Sequence, residues 1–110
     1  MAYDETLADR VRNLLASDPG YGERKMFGGL CFMLDGHMTC GIVGDSLMLR
    51  LNEQLATEAL RKPHVRPMDF TGRPMRNMVY VDPPALRGRA LRTWIEKAAT
   101  NARSLPAKSS

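Results

Sequence analysis

Near the N-terminus the apolar residues Leu7, Val11, Leu14 and Leu15 recur at the three-to-four-residue spacing of one helix face. Asp4 is placed to cap that helix and Pro19-Gly20 to end it. The pattern then changes. From about 26 to 51 the apolar residues crowd together, broken at Asp35-Gly36 and Gly44-Asp45, pairs that supply the positive φ of a tight hairpin. This predicts three antiparallel strands, about 26–34, 37–43 and 46–51.

Two-residue loops would set the register. Leu34 would face His37, Met33 Met38, Phe32 Thr39 and Cys31 Cys40, while Val43 would face Ser46 and Cys40 would face Leu49. Because side chains alternate, one sheet face would collect Cys31, Met33, Met38, Cys40, Ile42, Leu47, Leu49 and Leu51, the expected core. The other would carry Leu30, Phe32, Leu34, His37, Thr39, Gly41, Val43, Ser46, Met48 and Arg50. Leu30, Phe32, Leu34 and Met48, with Arg50 beside them, make that second face greasier than bare surface and so a candidate interaction surface.

Asn52 caps a second short helix, "NEQLATEALRK", which Pro63 stops. "VRPMDF" and "MRNMVYV" form a second hairpin around Thr71-Gly72-Arg73-Pro74. Asp82-Pro83-Pro84 opens a helical C-terminus that Gly88 interrupts, with Leu91, Trp94, Ile95, Ala98, Ala99 and Ala102 as its apolar stripe. The order α-β-β-β-α-β-β-α predicts a two-layer α+β domain, a five-stranded antiparallel sheet with its helices on one face. One domain is expected over 1–105, and a disordered tail over 106–110.

Charge alters this picture in one respect. Through Leu55 eight acids meet five bases, whereas from Ala56 onward eleven bases meet four acids. Arg87, Arg89, Arg92 and Arg103 are thus a candidate basic patch for an acidic partner or nucleic acid. No helix-turn-helix, RNA-binding strand motif or zinc finger accompanies them. Two cysteines are too few for a disulfide scaffold, and no apolar run approaches the roughly 20 residues of a bilayer span. The expected setting is the cytoplasm, with no membrane partner.

Candidate chemistry changes little. Phe27-Gly28-Gly29 lacks the spacing and the Lys-Ser/Thr of a phosphate loop, and a strand rather than a helix follows, so the glycines read as a bend or a close backbone approach. Cys31 and Cys40 are expected as buried free thiols. With His37 and His64 they are the only sulfur and nitrogen candidates for a metal, and no ligand spacing joins them. Neither histidine lies in a nucleophile context. The chain is therefore read as having no catalytic residues, metal or cofactor.

Taken together, Met26-Phe27-Gly28-Gly29, the Asp35-Gly36 hairpin, Tyr80 with Val81 and Pro83, and Trp94 followed by an alanine-rich helix resemble the N-terminal domain of the TfoX/Sxy family, bacterial regulators of natural competence. The resemblance runs from about Tyr3 to Leu105. It implies a secretion-chaperone-like α+β fold, and it carries no defined catalytic residues. Full-length members are similar over this domain, add a C-terminal domain, and act with the cyclic-AMP receptor protein at competence promoters. A regulatory or protein-interaction domain is therefore expected, its partner a protein or a second copy of the chain. Electrostatic nucleic-acid binding through the basic second half is the alternative.

Overall fold

A computed structural model describes residues 3–26, 28–70 and 73–106. Phe27 and the turn residues Thr71 and Gly72 lie outside the described residues, as does the tail from 107 onward. Among the described residues three helices, α1 (Glu5–Leu15), α2 (Glu53–Ala59) and α3 (Arg89–Arg103), accompany six strands: β1 (Tyr21–Met26), β2 (Gly29–Leu34), β3 (His37–Val43), β4 (Ser46–Arg50), β5 (Val65–Phe70) and β6 (Arg73–Val81). The sheet is antiparallel throughout, in the order β1-β2-β3-β4-β6-β5. The fold class is α+β, but with six strands rather than five. The added strand is β1, "YGERKM", an edge strand whose four central residues Gly22 to Lys25 carry no large apolar side chain and leave no alternation to read.

The capping signals hold. The Leu7 amide donates to Asp4 Oδ1 at 3.1 Å, and the Leu55 amide to Asn52 Oδ1 at 2.8 Å. The C-terminal region begins with a single 3-10 turn at Pro83–Ala85, and Gly88, at φ +56°, separates it from α3. The Asp35-Gly36 turn has positive φ at both residues, 52° and 82°, which suits a two-residue hairpin.

The hairpin is not regular, however. Leu34 pairs with His37 and Met33 with Met38 as expected, but then Phe32 pairs with Cys40 and Cys31 with Gly41. Thr39 is left over as a bulge, buried, with its hydroxyl donating to the His37 carbonyl at 3.4 Å. One extra residue exchanges the faces of everything paired beyond it, so β2 and Met38 are reversed against the regular register. Leu30, Phe32 and Leu34 lie in the helix-facing core with Cys40, Ile42, Leu47, Leu49, Leu51, Val79 and Val81. Cys31, Met33 and Met38 lie on the other face with Met48.

All three helices supply residues to the core formed with Phe32. Leu7, Ala8, Val11 and Leu15 come from α1, Ala56 and Ala59 from α2, and Leu91, Trp94, Ile95, Ala98, Ala99 and Ala102 from α3. The long helix α3 lies against β2, β3 and β4, while α1 packs on α3 and α2 beside β6. Fully burying each large aliphatic or aromatic side chain here contributes about 1.5–3 kcal/mol. Gly29 makes one close approach possible: a Cβ there would lie 1.9 Å from the Ile42 carbonyl oxygen. The glycine of "MFGG" is thus a backbone contact between β2 and β3.

Candidate interaction surfaces

Among the described residues the helices lie on one side of the sheet, and the other side is covered only by its own side chains. Cys31, Met48, Met68 and Met78 are buried at its centre, and Met26, Met33, Met38, Val43 and Tyr80 pack around them half-buried. Six of the eight methionines therefore meet on one face. Gly41 makes room for them. A Cβ there would fall 2.7 Å from the Met48 methyl and 3.2 Å from Cys31 Sγ, so both side chains occupy the space a larger residue would take.

Of the five residues expected to form an interaction surface, Met48 and Arg50 lie on this helix-free face. Leu30, Phe32 and Leu34 do not. They are 4 % exposed or less, beneath the helices, because the Thr39 bulge turns β2 over. Pairing by two-residue loops misses this, since no residue in "HMTCGIV" announces a bulge. The methionine spacing along β2, β3, β4, β5 and β6 was the available sign of a shared face.

A polar cluster closes the β4–β6–β5 end of this face. Arg66 Nε and Nη2 donate to Asp82 Oδ2 and Oδ1, each at 2.9 Å, and Ser46 Oγ donates to Asp82 Oδ1 at 2.8 Å. The Arg66 hydrogen bonds, with help from Ser46, hold the Asp82 carboxyl below the usual carboxylate range against its partial desolvation. The same guanidinium lies 4.9 Å from the Tyr80 ring centroid.

The basic patch divides. Arg89 and Arg92 meet Arg10 of α1 around a groove of about 720 Å³, floored by Leu14 and Leu91, between α1 and the start of α3. Arg10 Nη2 also donates to the Leu86 carbonyl at 2.9 Å. Arg87 is exposed in the preceding loop. Arg103 lies at the far end of α3, where its Nη2 donates to Asp18 Oδ2 at 2.8 Å. That contact, with the Gly20 amide, lowers the Asp18 pKa. Arg10 belongs to the acidic half of the sequence, so only the packing of α1 on α3 reveals its part in the cluster.

Cys31 and Cys40 are not cross-strand neighbours. They lie on opposite faces, both free and both buried. Burial pushes the Cys31 thiol up to about 11 and the Cys40 thiol higher still. His37, expected away from both, shares the helix side with Cys40. Its Nε2–H donates to the Pro106 carbonyl at 2.5 Å, while Nδ1 is buried without a partner among the described residues. No group of three His, Cys, Asp or Glu among the described residues is arranged to hold a metal ion. Nor is any described helix long and apolar enough to cross a membrane.

The remaining motif residues are structural neighbours of these surfaces. Met26 and Tyr80 border the methionine face, Gly28 takes φ +75°, and Pro83 begins the 3-10 turn. Trp94 is in the core, its Nε1–H donating to the Ala85 carbonyl at 3.3 Å. No curated protein matches the chain significantly. The family described as TfoX N-terminal domain matches residues 13–102, from the last turn of α1 almost to the end of α3. The chain belongs to the TfoX N-terminal domain family.

Proposed function

We propose that this chain is a non-enzymatic, regulatory protein-interaction domain, in keeping with a family whose resemblance is to competence regulators, and that it docks through the helix-free methionine face. A second copy of the chain is the proposed partner. The observation that carries the reading is the concentration of six methionines on the sheet face that none of the described helices covers. Thioether side chains are flexible and polarisable, and they repack against an irregular apolar surface at small cost. The half-buried members Met26, Met33 and Met38 are the ones a partner would meet first.

Substitution at this face tests the reading. Met33→Asp with Met38→Asp would place two carboxylates in the contact while leaving the helix-side core untouched. Association should be lost while the protein stays folded, with its thermal midpoint lowered by the loss of two half-buried thioethers. Association that survives the double substitution in a folded protein refutes the docking face.

One observation favours electrostatic binding of nucleic acid as a second reading: Arg10, Arg89 and Arg92 converge on the α1–α3 groove. Phosphate contacts release counterions, so such binding must weaken steeply with salt. A DNA or RNA titration at low and moderate salt separates the two readings. No binding at low salt removes this one.

A further inference from the structure

Trp94 lies beneath two cations. Lys62, in the loop after α2, and Lys97, one turn further along α3, hold their ammonium nitrogens 5.5 and 5.1 Å from the centroid of the indole ring. The indole is held in place by the hydrogen bond from Nε1 to Ala85. Pro63, Ala85, Ala90 and Thr93 complete a recess of about 370 Å³ around the two lysines and the ring.

This arrangement carries an unbalanced charge. Neither ammonium has a carboxylate within ion-pair distance among the described residues; the four ion pairs there involve Arg12, Arg66 and Arg103. Glu58 favours the charged form of Lys97 only from a distance. Burial first, then the charge of Lys62 and the close approach of its side chain, hold the Lys97 pKa below that of an ordinary lysine. Two like charges above one aromatic ring repel each other, and a doubly charged anion in contact with both would relieve that repulsion. A monocarboxylate would neutralise only one. Of the rest of the wall, Thr93 gives its hydroxyl proton to the Arg89 carbonyl, and Pro63, Ala85 and Ala90 are apolar and suit an uncharged organic group attached to the anion.

We propose that this recess binds a small phosphate monoester, its dianionic phosphate bridging Lys62 and Lys97 and its organic group resting against Pro63, Ala85 and Ala90. With a second ionisation near pH 6, such a phosphate is largely dianionic at neutral pH. The site is on the helix side of the molecule, so it stands or falls independently of docking at the methionine face.

Trp94 is the only tryptophan, so its fluorescence reports this recess alone. The probes are phenyl phosphate, inorganic phosphate, benzoate and sodium chloride at matched ionic strength. Phenyl phosphate should change the emission saturably, inorganic phosphate should bind more weakly, and benzoate and chloride should have little effect. Lys62→Gln or Lys97→Gln should each weaken phenyl phosphate binding by roughly fivefold, the size of one partly exposed charge contact. The double variant should abolish the response. Lys97→Arg keeps the charge and should retain it, and far-UV circular dichroism reports folding of each variant. The proposal is overturned if chloride reproduces the change, if the folded double variant still responds, or if inorganic phosphate binds as tightly as phenyl phosphate.

Discussion

Replacing Phe32 and its neighbour Met33 by alanine, one at a time, asks which way β2 faces. A regular hairpin places Met33 in the core and Phe32 outside, whereas the Thr39 bulge reverses them. Phe32 is fully buried, packed among α3-facing residues and 6.3 Å from the Tyr21 ring, centroid to centroid. Truncating an aromatic ring in such a site removes its transfer free energy and leaves a cavity, a cost of about 3–5 kcal/mol. Met33 is half-buried among adaptable thioethers, so its truncation should cost about 1 kcal/mol. For a domain of this size each kcal/mol lowers the thermal midpoint by roughly 4 °C, so Phe32→Ala should lower it by about 12–20 °C and Met33→Ala by about 4 °C. Urea unfolding followed by circular dichroism gives the free energies directly, with the slope checking that compactness is unchanged. A larger loss at Met33 than at Phe32 would refute the bulge and every face assigned from it.

Other outcomes follow from the same geometry. Gly29→Ala should destabilise severely, because its Cβ would meet the Ile42 carbonyl oxygen; a thermal midpoint close to wild type would show that the two strands are not in such contact. Thiol titration of the native protein without reductant should find Cys31 and Cys40 reduced and slow, Cys31 the faster of the two, and an intramolecular disulfide would contradict their placement on opposite faces. Asp82, its folded pKa depressed by Arg66, contributes stability above its unfolded pKa that is lost as pH falls through the folded value. Since the Arg66 side chain is half exposed, Asp82→Asn should cost no more than about 1 kcal/mol at neutral pH and nothing in strong acid; a pH-independent cost in urea melts would exclude the linkage.

Much of this architecture is legible in the chain, because local chemistry sets it. The caps at Asp4 and Asn52, the turn at Asp35-Gly36 and the stripe ending in Ala102 each depend on residues within a few positions. Two features escape for different reasons. Strand β1 is specified by pairing with β2 rather than by its own apolar pattern, since Glu23, Arg24 and Lys25 face solvent. The Thr39 bulge is a tertiary choice. A regular register would send Phe32 into the thinly covered face, and one inserted residue places the ring under α3 instead. That single residue also relocates the candidate surface. The idea of a second, apolar sheet face survives, but Met33 and Met38 replace Leu30, Phe32 and Leu34 on it. Phe32→Asp would consequently unfold the domain rather than probe an interface. The basic cluster was visible only in part, because Arg10 joins Arg89 and Arg92 through helix packing.

Light scattering on the purified protein at micromolar concentration, wild type beside Met33→Asp/Met38→Asp, tests the docking face most directly. Docking through the methionine face requires twice the chain mass for the wild type and a single chain mass for a double variant with unchanged circular dichroism. A wild type that stays at one chain mass throughout, or a double variant that remains paired, would contradict it.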